Sequence, residues 1–265
     1  MNDTAKLILF FVVILVSNII QAITGFAGTV LAMPFSIILV GGNTARVVLN
    51  ILGIAASIGV VILNRRSINW RQVLIITPIM LVGMGVGFVI IHFAQVSKQI
   101  LYFILAGFVL LFTAIGVYTT FIRKPKEPSL EEEPRSRVIA KEVFLYALLV
   151  VAGVVHGMFV CGGPLLIVYA TVKLKDRDEF RSTLSMVWIV LNTVNLIRDI
   201  VAGAFNENMG RMMMTLGISL AVLIAALLVG NLVAKKLNKK VFMIITYVLM
   251  AISAVSLILN ACGVF

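Results

Sequence analysis

Apolar residues fill eight long stretches of the chain, roughly 5–41, 46–63, 73–91, 99–121, 143–171, 183–203, 212–233 and 241–262, and polar residues gather in the gaps. Within each stretch the hydrophobicity is continuous and does not alternate, so membrane barrel strands are disfavoured and helices are predicted. Most stretches come close to the ~20 residues that a helix needs to cross the hydrocarbon core. The first and fifth are longer, and glycine interrupts both: Gly25-Phe-Ala-Gly28 in one, Gly157-Met-Phe-Val-Cys-Gly-Gly-Pro164 in the other. The first stretch has neither the basic opening nor the small-residue cleavage site of a signal peptide, and it is read as part of the mature chain.

The one clear linker is Arg123–Arg137, with three prolines and mixed charge, and the halves on either side of it repeat. Arg46-Val-Val-Leu-Asn50 matches Arg181-Ser-Thr-Leu-Ser185, and the apolar segment from Ser97 matches the one from Asn238. With the two glycine-broken openings, these matches fall in one order, which marks a duplication. The predicted organisation is a first membrane repeat over 1–122, a cytoplasmic linker over 123–141 and a second repeat over 142–265.

Charge decides the topology. If all eight stretches are simple crossings, the 22 lysines and arginines split about evenly between the two faces. If each long opening stretch is a hairpin of two half-helices, Arg65, Arg66, Arg71, the linker, the Lys173–Arg181 loop and Lys235–Lys240 share a face. That face then holds 17 of the 22, as the positive-inside rule requires of the cytoplasmic side. Two full crossings in the fifth stretch would serve the charges equally, but its 29 residues are too few at ~1.5 Å each. The predicted fold is therefore an all-α polytopic membrane protein of two inverted repeats, each a glycine-broken helical hairpin plus about three transmembrane helices.

Composition fits this picture: 61% of the residues are hydrophobic and 12% charged, far too apolar for a soluble domain of 265 residues. The net charge of +11 belongs to cytoplasmic loops and does not call for nucleic acid.

A half-helix that stops within the membrane leaves backbone groups that only protein or a water-filled cavity can satisfy. Pro164 suits the first turn of an outgoing half-helix. The N–H groups near Gly28 and near Gly162 and Gly163 would then point a positive dipole end at the bilayer centre, which favours an anion. The alternative is that these glycines serve close helix packing alone.

Gln21-Ala-Ile-Thr-Gly-Phe-Ala-Gly28, with Met33-Pro34, resembles the first signature of the TauE/SafE family of bacterial sulfite and organosulfur exporters. Gly157–Tyr169 followed by Glu179–Trp188 resembles the second, and the likeness covers nearly the whole chain, including the Ser67-Ile-Asn-Trp70 turn. Val160 stands where many members carry glycine, and Gly25–Gly28 is a sparse version of the glycine run. The resemblance implies a small sulfur oxyanion or related acid as substrate, and a multi-pass protein of the bacterial inner membrane.

Polar residues inside the stretches mark faces that lipid will not solvate. Ser185, Trp188, Asn192, Asn195 and Asp199 recur at steps of three and four, and Arg46, Asn50, Gly53, Ser57 and Asn64 do nearly the same. Asn50, Asn192 and Asn195 are expected to line a cavity, whereas Ser57 and Ser185 are expected to bond between helices. Arg46 and Arg181 are close enough to helix ends to snorkel to the interface, and Arg198 and Asp199 to neutralise each other. All four are candidates for a role in charge or coupling.

His156 and Cys161 flank the second glycine break, and Gln21, Thr24 and Gly25 take the matching place in the first. These residues are candidate substrate contacts. No metal spacing emerges, and no constellation of acid, base and nucleophile suffices for catalysis. Gly83-Met-Gly-Val-Gly87 reads as a helix-packing segment, since no strand precedes it. There is no P-loop. The expected function is a secondary transporter, without cofactor, that exports a small anion by alternating access. An anion channel and a cation-coupled importer are the other readings.

Overall fold

The computed structural model describes residues 2–24, 28–93, 97–118, 135–174, 176–204, 209–234 and 239–263. Most of the predicted linker, and Gly25, lie outside these residues. Among the described residues ten α-helices follow one another: α1 Asp3–Thr24, α2 Gly28–Val40, α3 Gly42–Asn64, α4 Trp70–Phe93, α5 Lys98–Val117, α6 Arg135–Phe159, α7 Gly163–Lys173, α8 Arg177–Val201, α9 Met209–Ala234 and α10 Lys239–Ala261. Among the described residues there is no strand, and seven helices are long and apolar enough to cross a membrane. Local sequence sets several of the starts. The Ser97 side chain accepts from the N–H of Ile100 at the head of α5, and the Asp176 carboxylate accepts from Asp178 and Glu179 at the head of α8.

The helices pack in pairs drawn from opposite halves: α4 on α6, α1 on α9, α3 on α8 and α5 on α10. Exchanging α1–α5 for α6–α10 carries this set of pairs onto itself. Glycine sets the closest approach. A Cβ on Gly83 would stand 2.2 Å from the carbonyl oxygen of Val150, and one on Gly153 2.2 Å from that of Met80. Gly87 and Gly157 repeat the arrangement one turn on, so small residues four apart let two backbones touch, as membrane helices allow. Outside the bundle, large apolar side chains such as Ile62, Leu74, Phe93 and Leu228 stay exposed, a surface suited to lipid.

The hairpins differ from the expected pairs of half-helices. Their outgoing arms α2 and α7 are short, at 13 and 11 residues, but the ingoing arms α1 and α6 have 22 and 25. The reason in α6 is its first two turns, where Arg135, Arg137, Lys141 and Glu142 add a polar length that hydrocarbon would not accommodate. α7 then runs back along α6, because Lys173 pairs with Glu142 and the rings of Tyr169 and Tyr146 lie 6.2 Å apart.

One end of the bundle is fastened by polar contacts. Tyr169 donates to Gln72 at 3.0 Å, and Asn69 donates through its side chain to Glu179 at 2.7 Å and through its N–H to Thr183 at 2.9 Å. These contacts bring the Arg65–Arg71 turn, the start of α6 and the α7–α8 junction together. At the opposite end Arg211 pairs with Asp3, joining the starts of α9 and α1.

Candidate functional site

A small cavity of about 40 Å³ lies where the two glycine breaks meet, large enough for a few waters. It sits beside Gly53, halfway along α3, and beside Trp188 and Asn192, near the middle of α8. Gln21, Thr29, Val30, Gly53 and Ser57 line it from the first half, and His156, Val160, Cys161, Gly163, Trp188 and Asn192 from the second. Gln21 and His156, Gly53 and Trp188, and Ser57 and Asn192 are each 135 residues apart, so matching positions of the two halves face one another. The Cys161 thiol points at the carbonyl of Thr29, at 3.8 Å, which holds the breaks in contact.

The wall is polar and carries no formal charge. His156 lies tilted against Trp188, with ring centroids 5.1 Å apart, and beside Asn192, yet neither ring nitrogen makes a hydrogen bond of good geometry. The side-chain oxygen of Asn192 is likewise buried without a partner. Buried polar atoms normally find partners, so groups left open around a cavity offer contacts to a guest.

The glycines divide by role. A Cβ on Gly162 would collide with the carbonyl of Ala152 at 2.3 Å and with Cβ of His156 at 2.7 Å, so Gly162 lets the chain fold back against α6. A Cβ on Gly28 would meet the Gln21 side chain at 2.1 Å. At Gly163, which lines the cavity, an added Cβ would meet only Trp188, at 3.7 Å, an ordinary contact, so a small side chain has room there. Pro164 stands at the first turn of α7. Val160, just past α6, has φ +58°. That is the left-handed turn with which helices commonly end, and there a β-branched residue is strained by about 1–2 kcal/mol.

Arg46 does not snorkel. Its guanidinium is buried against the end of α6, where Nη1 donates to the carbonyl of Met158 at 2.7 Å and Nη2 to that of Gly157 at 3.0 Å. Nη2 also reaches Asn195 Oδ1 at 3.3 Å, and Nε pairs with Asp199 at 3.2 Å. The last carbonyls of a helix have no partner within it, and a cation suits that end of the dipole. Asp199 is therefore not neutralised by Arg198 alone: it is shared by Arg46 and by Arg198, whose Nη1 lies 2.9 Å away.

The polar stripes are corrected in detail. Asn192 lines the cavity as expected, but Asn50 donates to the backbone carbonyl of Asn192 and Asn195 to that of His156, so both bind helices together. Ser57, expected between helices, lines the cavity. Ser185 returns its hydroxyl to the Arg181 carbonyl within α8. Arg181 has no place in the cavity lining. Thr24 ends α1 and its side chain lies outside the described residues; Thr29, the residue after Gly28, lines the cavity. Trp188 and Gly53 already stood in the stripes, and their equal spacing from the breaks was the available signal.

Beyond the end of α6 a second, larger hollow of about 850 Å³ opens toward the end of the bundle that holds Asp3 and Arg211. Arg46, Met158, Arg198 and Asp199 belong to its lining, and the last turn of α6 separates it from the central cavity.

Among known proteins, the model of the family described as "Sulfite exporter TauE/SafE" matches residues 9–257. No curated protein and no solved structure matches the chain.

Proposed function

Because the chain belongs to the TauE/SafE sulfite exporter family, we propose that it carries sulfite or an organosulfonate out of the cell, binding it in the central cavity between the two hairpin breaks. The observation that carries this reading is the lining of that cavity: matching residues from both halves, at half-height, with buried polar atoms left without partners. Such a wall can hold an anion through neutral N–H, amide and hydroxyl dipoles, which avoids the cost of burying a formal charge at the bilayer centre. The repeats over 1–122 and 142–265 are read as inverted, with the basic end of the bundle and the 123–141 linker cytoplasmic and the large hollow opening outward. Rocking one half against the other would expose the cavity to each side in turn. An interior at −100 mV favours the exit of one negative charge by ~2.3 kcal/mol, so export needs no further coupling. The deciding test is efflux of sulfite from proteoliposomes. Saturable efflux supports a carrier site, whereas flux that rises linearly with concentration would point to a channel.

Three outcomes follow from this arrangement. In reporter fusions Ser129 and Lys239 should both face the cytoplasm; opposite faces would end the inverted reading. Gly163→Val should fold but lose the greater part of its sulfite-induced thermal stabilisation, the part owed to the central cavity, since its branched side chain enters that cavity, whereas Gly162→Ala should lose stability first through its clash with Ala152. Undiminished binding by folded Gly163→Val would place the anion elsewhere. Val160→Gly releases strain of about 1–2 kcal/mol but gives up a buried side chain worth about 1.5–3 kcal/mol, partly offsetting it. Stability should therefore change by only about 1 kcal/mol, while bulkier sulfonates gain access in competition assays.

A further inference from the structure

Five of the 22 basic residues, Lys6, Arg46, Lys98, Arg198 and Arg211, fall outside the segments assigned to the basic face. Basic residues are disfavoured on the outward side of a membrane protein. Four of them, Lys6, Arg46, Arg198 and Arg211, line the same large hollow. Against them, the acidic residues in its lining are Asp3, paired with Arg211, and Asp199, shared by Arg46 and Arg198. Among the described residues two arginines thus compete for one carboxylate at the floor of the hollow. Asp199 has 3% of its side chain exposed and Arg46 12%, so water screens this excess of positive charge poorly.

We propose that this floor is a second anion site, distinct from the central cavity, in which the Asp199 carboxylate occupies the place of the travelling oxyanion. A guanidinium presents a fork of donors matched to the oxygens of a carboxylate, a sulfonate or sulfite alike. Arg198 uses Nη1 on Asp199 and rests over the Phe88 ring at 5.4 Å. It is more exposed than Arg46 and lines the hollow, which makes it the group an arriving anion meets. Arg46 is tied to Gly157 and Met158, in the turn that separates this floor from the central cavity, so the anion and the barrier share one residue. An anion leaving the cavity would be drawn to the two arginines, and Asp199 would then displace it outward. The carboxylate keeps the exit site weak, as an exporter requires.

This site rests on the reading of the chain as an anion exporter, but not on the central cavity being the transport site. Sulfite titrations of the purified protein, followed by calorimetry, test it. Asp199→Asn should tighten binding about tenfold by removing the competitor, while maximal efflux from proteoliposomes falls about tenfold because release slows. Arg198→Gln, at a more exposed position and expected to fold, should weaken binding about tenfold. Both shifts should persist when combined with Asn192→Leu, which alters only the central cavity. Unchanged affinity in folded Arg198→Gln, or loss of all binding with Asn192→Leu alone, would overturn the second site and leave the transporter reading standing. No sulfite binding by any form, the unaltered protein included, would overturn both.

Discussion

Arg46→Met should destabilise the folded protein by about 3–5 kcal/mol, the largest effect expected of any single substitution here. The methionine keeps much of the volume but leaves the carbonyls of Gly157 and Met158 and one side of Asp199 without their partner. Buried groups so abandoned pay their desolvation in full. Adding Asp199→Asn should restore at least about 1 kcal/mol, since it removes the carboxylate that lost its partner. Thermal denaturation in detergent can follow both. A midpoint equal to that of the unaltered protein would mean that Arg46 reaches water in the membrane and that the end of α6 is held by something else.

Asn192→Leu should leave the fold intact yet weaken transport roughly 10- to 150-fold, the equivalent of one hydrogen bond of about 1.5–3 kcal/mol to a charged guest. The fold is spared because the interhelical bond at this position uses the backbone: Asn50 donates to the Asn192 carbonyl, which leucine also has. The side chain serves the cavity, where its oxygen has no partner and its amide fills the space left by the missing Cβ of Gly53. Leucine conserves the volume and removes both the donor and the acceptor. Sulfite efflux should show the loss while the unfolding temperature stays within a few degrees. Normal efflux would make Asn192 a packing residue and move the site away from the cavity.

Hydropathy alone determined the all-helical membrane class, because a chain whose polar residues are confined to short gaps has no other way to satisfy its backbone in lipid. Internal repetition suggested which segments correspond, and the glycine breaks marked where the chain turns back. The sequence also pointed to Gly83 and Gly87 as packing residues, since small residues four apart on an apolar helix have few other uses. Steps of three and four placed Asn192, Trp188, Gly53 and Ser57 on inward faces. They did not tell which of those residues meet a cavity and which meet another helix. Asn50 and Asn195 share the stripes with Asn192 but end in bonds to backbone carbonyls, because the partner helices lie within reach at those heights and not at others.

The fate of Arg46 was beyond sequence for the same reason. Its position near a helix end suits a snorkelling residue, and only the packing of α3 against α8, with the end of α6 alongside, supplies the carbonyls and the carboxylate that keep it buried. A one-dimensional pattern carries the preference of each segment for lipid, for helix and for a buried face, because these depend on neighbours close in the chain. Which buried donor finds which acceptor depends on groups distant in the chain, 39 residues away for Asn195 and more than a hundred for Arg46 and Asn50, and that was decided by the tertiary structure alone.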